Sequence, residues 1–388
     1  MNLLSLSGNL LLVSFILYLI STAFFAVATS GKKGPSKSGR IAFSLALIGF
    51  IAQLGYFFTR WAGAGHAPVS NLYEYTTFFG MMMVFGFLIV YGIYRNNVLG
   101  LIAMPVALLV IAYASMFPDE VQPLIPALQS VWLKIHVTTA ALGEGILAVS
   151  FATGLLYLVH ATDFSKESKT RTWLEIVFFT LICVVGYIFV GLMFKAIGSD
   201  STIEYVAKNG ATMKHEYSMP VLTGPEGGKV LSGSGAFVEL PNYINANKLN
   251  TVLWSLISGL ILYVVLRFVV FRKRIAETLK PIARKIDLDT ADEISYRAVA
   301  IGLPVFILGG LIFAMIWAQM AWSRYWGWDP KEVWALITML FYVFYLHMRI
   351  QRGWVGKKSA WLVVGGFAVI MFNLIFVNLV VAGLHSYA

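Results

Sequence analysis

Apolar runs of about twenty residues recur along the whole chain, separated by short polar or basic stretches. The pattern predicts ten spanning helices, at approximately 8–29, 41–59, 75–94, 98–116, 136–160, 173–197, 249–271, 298–319, 333–350 and 361–383. Runs of this length match a bilayer core ~30 Å thick, which a helix crosses in about 20 residues. Between the sixth and seventh runs, residues 199–248 lack such a stretch and are rich in Gly, Ser and Pro. A weak alternation near Lys229–Leu240 predicts a small β element or a partner contact there. The expected fold is an all-α polytopic membrane protein, one integral-membrane domain over 1–388 with a single insertion of about 50 residues.

Composition agrees: 59% of residues are hydrophobic and 12% charged, about half the charge of a soluble domain. The first run follows no basic n-region and precedes no small-residue cleavage site, so it reads as a retained span. The net charge is +10, but 20 of the 29 Lys and Arg fall in the segments 31–40, 95–97, 161–172, 267–297 and 349–358. Positive-inside bias makes those segments cytoplasmic. Both termini, the 199–248 insertion and the loop at 317–334 then face outward, in keeping with an even number of spans. The basic stretch 272–297 is expected to lie as a helical segment on anionic membrane lipids. Its one aromatic, Tyr296, stands at the end of the stretch, and none interleaves with the basic residues from 272 to 285, which argues against nucleic acid as a partner. The lone cysteine, Cys183, excludes an internal disulfide, a thiolate metal site and a CxxC redox pair.

Within residues 317–334 stand five tryptophans, Trp317, Trp322, Trp326, Trp328 and Trp334, interleaved with Arg324, Asp329, Lys331 and Glu332. Indoles gather at membrane interfaces, but a belt needs only one or two per helix end. The density predicts a platform for a flat, apolar molecule with an anionic rim, of which haem is an example. His136 and His385 lie at the predicted outer ends of their spans, level with this platform. Two readings stand for the pair: axial ligands to one haem iron, or interfacial histidines satisfied by water and carbonyls. His347 lies 13 residues beyond Trp334, about 20 Å deeper on a helix, and so cannot share that iron. It is either structural or the mark of a second haem position whose other ligand comes from a partner subunit. Glu144, flanked by Gly143 and Gly145, is either a functional group at depth or a protonated carboxyl bonded to a neighbouring helix. His66 is a cap or a neighbour of bound haem. His160 and His215 read as incidental. Arg60, Lys134, Arg324 and Lys331 face outward as candidate propionate partners.

The run 326–337, Trp-Gly-Trp-Asp-Pro-Lys-Glu-Val-Trp-Ala-Leu-Ile, resembles the WWD motif of haem-handling proteins. With Ala127-Leu-Gln-Ser130, Ser70-Asn-Leu-Tyr-Glu74 and Gly383-Leu-His-Ser-Tyr387, the chain resembles the CcsA/ResC family of system II cytochrome c biogenesis, most closely the ResC form of Gram-positive bacteria. The likeness covers nearly the whole chain. It implies a haem lyase component of the cytoplasmic membrane, which carries haem b outward and attaches it to apocytochrome c at CxxCH. By that resemblance His136 and His385 are the outer axial ligands, and His347 is the inner-side ligand. The WWD loop, with Trp322, Trp326, Trp328, Asp329, Trp334, Arg324 and Lys331, holds the haem. A ResB-like (CcsB) subunit supplies the second inner histidine, and thiol–disulfide proteins keep the apocytochrome reduced. Shorter family members lack the 199–248 insertion, so the resemblance assigns it no role. Two other classes stay open: a haem exporter or chaperone serving a separate lyase, and a b-type cytochrome subunit.

Overall fold

A computed structural model describes residues 2–30, 36–117, 119–121, 124, 128–206, 212–241 and 245–377. Among the described residues, ten helices are long and apolar enough to cross a membrane, each containing or overlapping one predicted run. The protein is thus an all-α polytopic membrane protein. The helices are α1 (Leu3–Ser30), α2 (Lys37–Ala64), α3 (Leu72–Tyr94), α4 (Asn97–Ala114), α5 (Val131–Ala161), α6 (Lys169–Ala196) and α7 (Ala246–Val264). After the short α8 (Ile275–Ala283) come α9 (Leu288–Ile307), α10 (Ala314–Trp322), α11 (Pro330–Arg352) and α12 (Lys357–Phe372). Three π-helical stretches interrupt this series: Val265–Val270 continues α7, Leu308–Phe313 joins α9 to α10, and Asn373–Val377 extends α12.

Polar residues at the edges of the apolar runs start these helices. Ser36, Asn71, Ser130, Ser168, Asn245, Asp287 and Asp329 each accept a backbone N–H of the first turn, as N-caps do. The Asp287 cap divides the basic stretch 272–297, which is therefore not one surface helix. It comprises α8, a turn and the first residues of α9, whose helix begins ten residues before the predicted span at 298.

The chain forms two compact units, residues 1–165 with 279–388, and residues 166–278. In the first, α5 packs against α3, α9 and α12. Glycines allow this. A Cβ on Gly143 would lie 2.5 Å from the Phe306 nitrogen, and one on Gly145 would lie 2.7 Å from the Met82 carbonyl carbon. The two glycines beside Glu144 thus bring neighbouring backbones against α5 on two sides, the close approach that small residues permit between membrane helices.

In the second unit, α6 pairs with α7, and the insertion forms five short strands. β1 (Ser201–Val206) is central in an antiparallel sheet ordered β2-β1-β4, with β2 at Thr212–Tyr217 and β4 at Lys229–Ser232. β3 (Thr223–Pro225) and β5 (Val238–Leu240) pair in parallel. Ile203, Tyr217 and Val221 form the small core of this part. The alternation near 229–240 therefore marks real strands, β4 and β5.

Candidate functional site

In the first unit a cavity of about 1290 Å³, its open mouth included, gathers segments far apart in sequence. Ser70 and Tyr75 line it from the start of α3, Leu128 from the loop before α5, and His136 and Glu144 from α5. The other wall holds Trp317, Trp326, Lys331 and Glu332. Ligand and cofactor sites are typically concave and apolar, with a few convergent polar groups, and the lining of this cavity has that character. Beneath it a buried cluster that includes Val69, Phe78, Met82, Val137 and Trp317 ties α3, α5 and α10 together.

His136 is half-buried on the second turn of α5. Its ring stacks on the Trp317 indole at 5.7 Å and 12°. Its Nδ1–H donates to the Gly309 carbonyl at 2.9 Å. Glu144 follows two turns later on the same wall and is buried. The Tyr75 hydroxyl donates to its carboxyl oxygen at 2.9 Å. Tyr75 was not singled out in the sequence, although it directly follows the Ser70–Glu74 motif.

That motif proves to be an anchor for the cavity wall. Asn71 caps α3 by accepting the Glu74 N–H at 2.8 Å. The Glu74 carboxylate accepts the Ser70 N–H at 3.0 Å, the Ser70 hydroxyl at 2.7 Å and the Arg60 Nε at 2.8 Å. The Arg60 and Glu74 side chains are 5% and 0% exposed. Arg60 also donates to the Asp119 carbonyl at 2.8 Å. Committed to these partners and buried, Arg60 is not placed to meet a propionate, contrary to the expectation from sequence.

The tryptophan segment divides into parts. Trp317 and Trp322 belong to α10, and the loop proper is residues 323–329. Asp329 and Glu332 form a reciprocal capping box with Pro330 at the first helical position. Glu332 also accepts the Gly327 N–H at 2.8 Å. Asp329 is 5% exposed and does not line the cavity. Its carboxylate starts α11 and so fixes where Trp326 and Lys331 stand. Trp328 is 70% exposed, sits edge-on to Trp326 at 5.9 Å and has φ +56°. A bulky residue in that left-handed region is an outlier that commonly accompanies function.

Of the other expected site residues, Trp322 packs edge-on against Trp317 at 4.8 Å. Trp334 packs on Phe372 of α12 at 4.4 Å, away from the cavity lining. Arg324 is exposed, and its guanidinium lies over Gly327. His66 is buried, its Nδ1–H donates to the Ala67 carbonyl at 3.1 Å, and it shares a second cavity with Gln129 and Lys134. Leu128 lines both cavities. His347 stands exposed on α11, beside the exposed Leu340, Val343, Phe344 and Ile350. His160 is tied by Nδ1 to the Ile286 carbonyl at 3.1 Å. His215 lies in β2, 3.0 Å from the Tyr205 hydroxyl. Burial, then nearby Lys248, holds its pKa below the ordinary value. His385 and Ala127 lie outside the described residues.

Comparison with known proteins agrees with this architecture. A family described as "Cytochrome C assembly protein" matches residues 251–385. The chain is 31% identical over 400 residues to "Cytochrome c biogenesis protein CcsA" of Nostoc sp., covering 100% of this chain and 99% of that one. The protein of the same name from Synechocystis sp. is 30% identical, with coverage of 100% and 99%. That from Crocosphaera subtropica is 32% identical, with coverage of 84% and 82%. The chain belongs to the CcsA family of cytochrome c biogenesis proteins, multi-pass membrane proteins that act in cytochrome c maturation.

Proposed function

We propose that the cavity bounded by His136, Glu144, Trp317, Trp326 and Lys331 holds haem as a substrate for covalent attachment to apocytochrome c. The observation that carries this reading is the convergence on one cavity of the Ser70–Glu74 segment, His136 and the tryptophan segment. The residues suit haem: apolar and aromatic walls for the macrocycle, an imidazole for iron, and the Lys331 ammonium for an anionic rim. His136 and His385 are the axial ligands, and the cavity opens at the outer face of the cytoplasmic membrane. Attachment adds each cysteine S–H of a CxxCH segment across a haem vinyl group, forming one S–C and one C–H bond without change of oxidation state. This chain's part is to bind and orient. Thiolates are strong nucleophiles, so positioning supplies much of the rate.

His347 is the inner-side ligand, and a ResB-like subunit supplies its mate. The exposed, apolar setting of His347 on α11 supports this, because an imidazole packed inside this chain would be closed to a partner. The test is covalent haem attachment to an apocytochrome c reporter by the chain co-expressed with that subunit. His136→Ala, alone or with His385→Ala, is expected to abolish attachment while the chain still inserts. Full attachment by the double variant would overturn the ligand assignment. Haem delivery without attachment in the wild-type complex would favour a carrier serving a separate lyase.

A further inference from the structure

We infer that Gly309, through its backbone carbonyl, is the residue that sets the tautomer and orientation of His136. The inference rests on the reading of His136 as an iron ligand. Residues Leu308–Phe313 are π-helical, a form rare in proteins and concentrated at functional sites. Within this stretch the Gly309 carbonyl accepts the Ala314 N–H and also the His136 Nδ1–H, using both of its lone pairs. A carbonyl oxygen can only accept. In the neutral imidazole Nδ1 therefore carries the proton, and Nε2 bears the lone pair that a metal requires. The stacking on Trp317 fixes the ring plane, and the hydrogen bond fixes which nitrogen turns toward the Gly309 carbonyl.

The glycine is what makes the bond reachable. A Cβ on Gly309 would overlap the Ala140 backbone nitrogen and lie 2.5 Å from the Thr139 carbonyl carbon. Both atoms belong to the backbone of α5, one turn beyond His136, and neither can swing aside. Any larger residue must push the π-helical stretch away from α5 and lengthen the bond to Nδ1.

Gly309 is thus a positioning residue. Partners of a ligating imidazole typically contribute 10- to 100-fold in metal affinity and raise ligand basicity. The test uses the full chain co-expressed with its ResB-like subunit. Haem affinity, the reduction potential of bound haem and the thermal unfolding midpoint are measured for Gly309→Ala and His136→Ala. A third variant, His136→Nδ-methylhistidine, removes the donor hydrogen without touching α9 or α10. Gly309→Ala and the methylated variant are expected to weaken haem binding about 10- to 100-fold. Both should shift the potential positive, because a less basic imidazole favours ferrous iron. If Gly309→Ala does not fold, the methylated variant decides alone. Unchanged affinity and potential in the methylated variant, with haem lost in His136→Ala, would overturn the positioning role. Haem retained unchanged in His136→Ala would instead overturn the ligand reading beneath it.

Discussion

Replacing Glu74 by Ala removes the carboxylate paired with Arg60, which is 4% exposed. The variant loses the 2.8 Å ion pair with Arg60 and the acceptor of both Ser70 bonds, at 3.0 and 2.7 Å. Stranding one charge of a buried pair costs about 3–5 kcal/mol, a factor of about 10² to several 10³ in the local opening equilibrium. The segment that opens, residues 66–75, carries Val69, Ser70, Asn71 and Tyr75 into the cavity wall. Hydrogen–deuterium exchange in nanodiscs reads this directly. Protection of the amides at the start of α3 should fall by that factor, and haem occupancy should fall with it. The double variant Arg60→Met with Glu74→Leu removes both charges and should recover most of the protection, since apolar replacement of a buried pair is often near neutral. Protection within threefold of wild type in Glu74→Ala, or a double variant as exposed as the product of the singles, would refute the anchoring role.

Gly145→Ala places a methyl 2.7 Å from the Met82 backbone. Overpacking of this kind costs about 1–3 kcal/mol, so the thermal midpoint should drop and haem occupancy with it. Asp329→Ala should cost about 0.5–2 kcal/mol through the lost N-cap of α11; Asp329→Asn, which still caps, should keep most haem affinity in an equilibrium titration. His215 has a folded-state pKa below its ordinary value of 6.5, so the unfolded chain binds the proton more readily. Stability of β1 and β2 is then full above about pH 6.5 and declines as pH falls through and below it. Exchange protection of residues 201–217 measured from pH 7.5 to 5 should show this decline, and His215→Gln should flatten it.

Much of this was legible in the sequence because hydropathy and aromatic density act locally. Ten apolar runs predicted ten spanning helices, and five clustered tryptophans pointed to the segment that contributes Trp317 and Trp326 to the cavity. Roles that depend on a distant partner were not. Arg60 looked like an outward cation because Glu74, its partner, is fourteen residues away and meets it only after α2 and α3 pack. Trp334 faces Phe372 across a helix pair, which no local pattern encodes. The Asp329 cap did have a signal: Asp-Pro-Lys-Glu carries a capping residue, Pro at the first position and Glu three residues on. The strands β1 and β2 alternate only in part, which obscured them beside the weak pattern of β4. The π-helical turn at Leu308–Phe313 had only the pair Gly309-Gly310 to mark it.

The central claim is that His136, with His385, holds haem in this cavity. Its most direct test is the absorption spectrum, oxidised and dithionite-reduced, of the purified chain co-expressed with its ResB-like subunit. Sharp reduced haem bands that weaken when His136 and His385 are both replaced by Ala are the predicted result. An intact complex that carries no haem, or bands unchanged in the double variant, would contradict it.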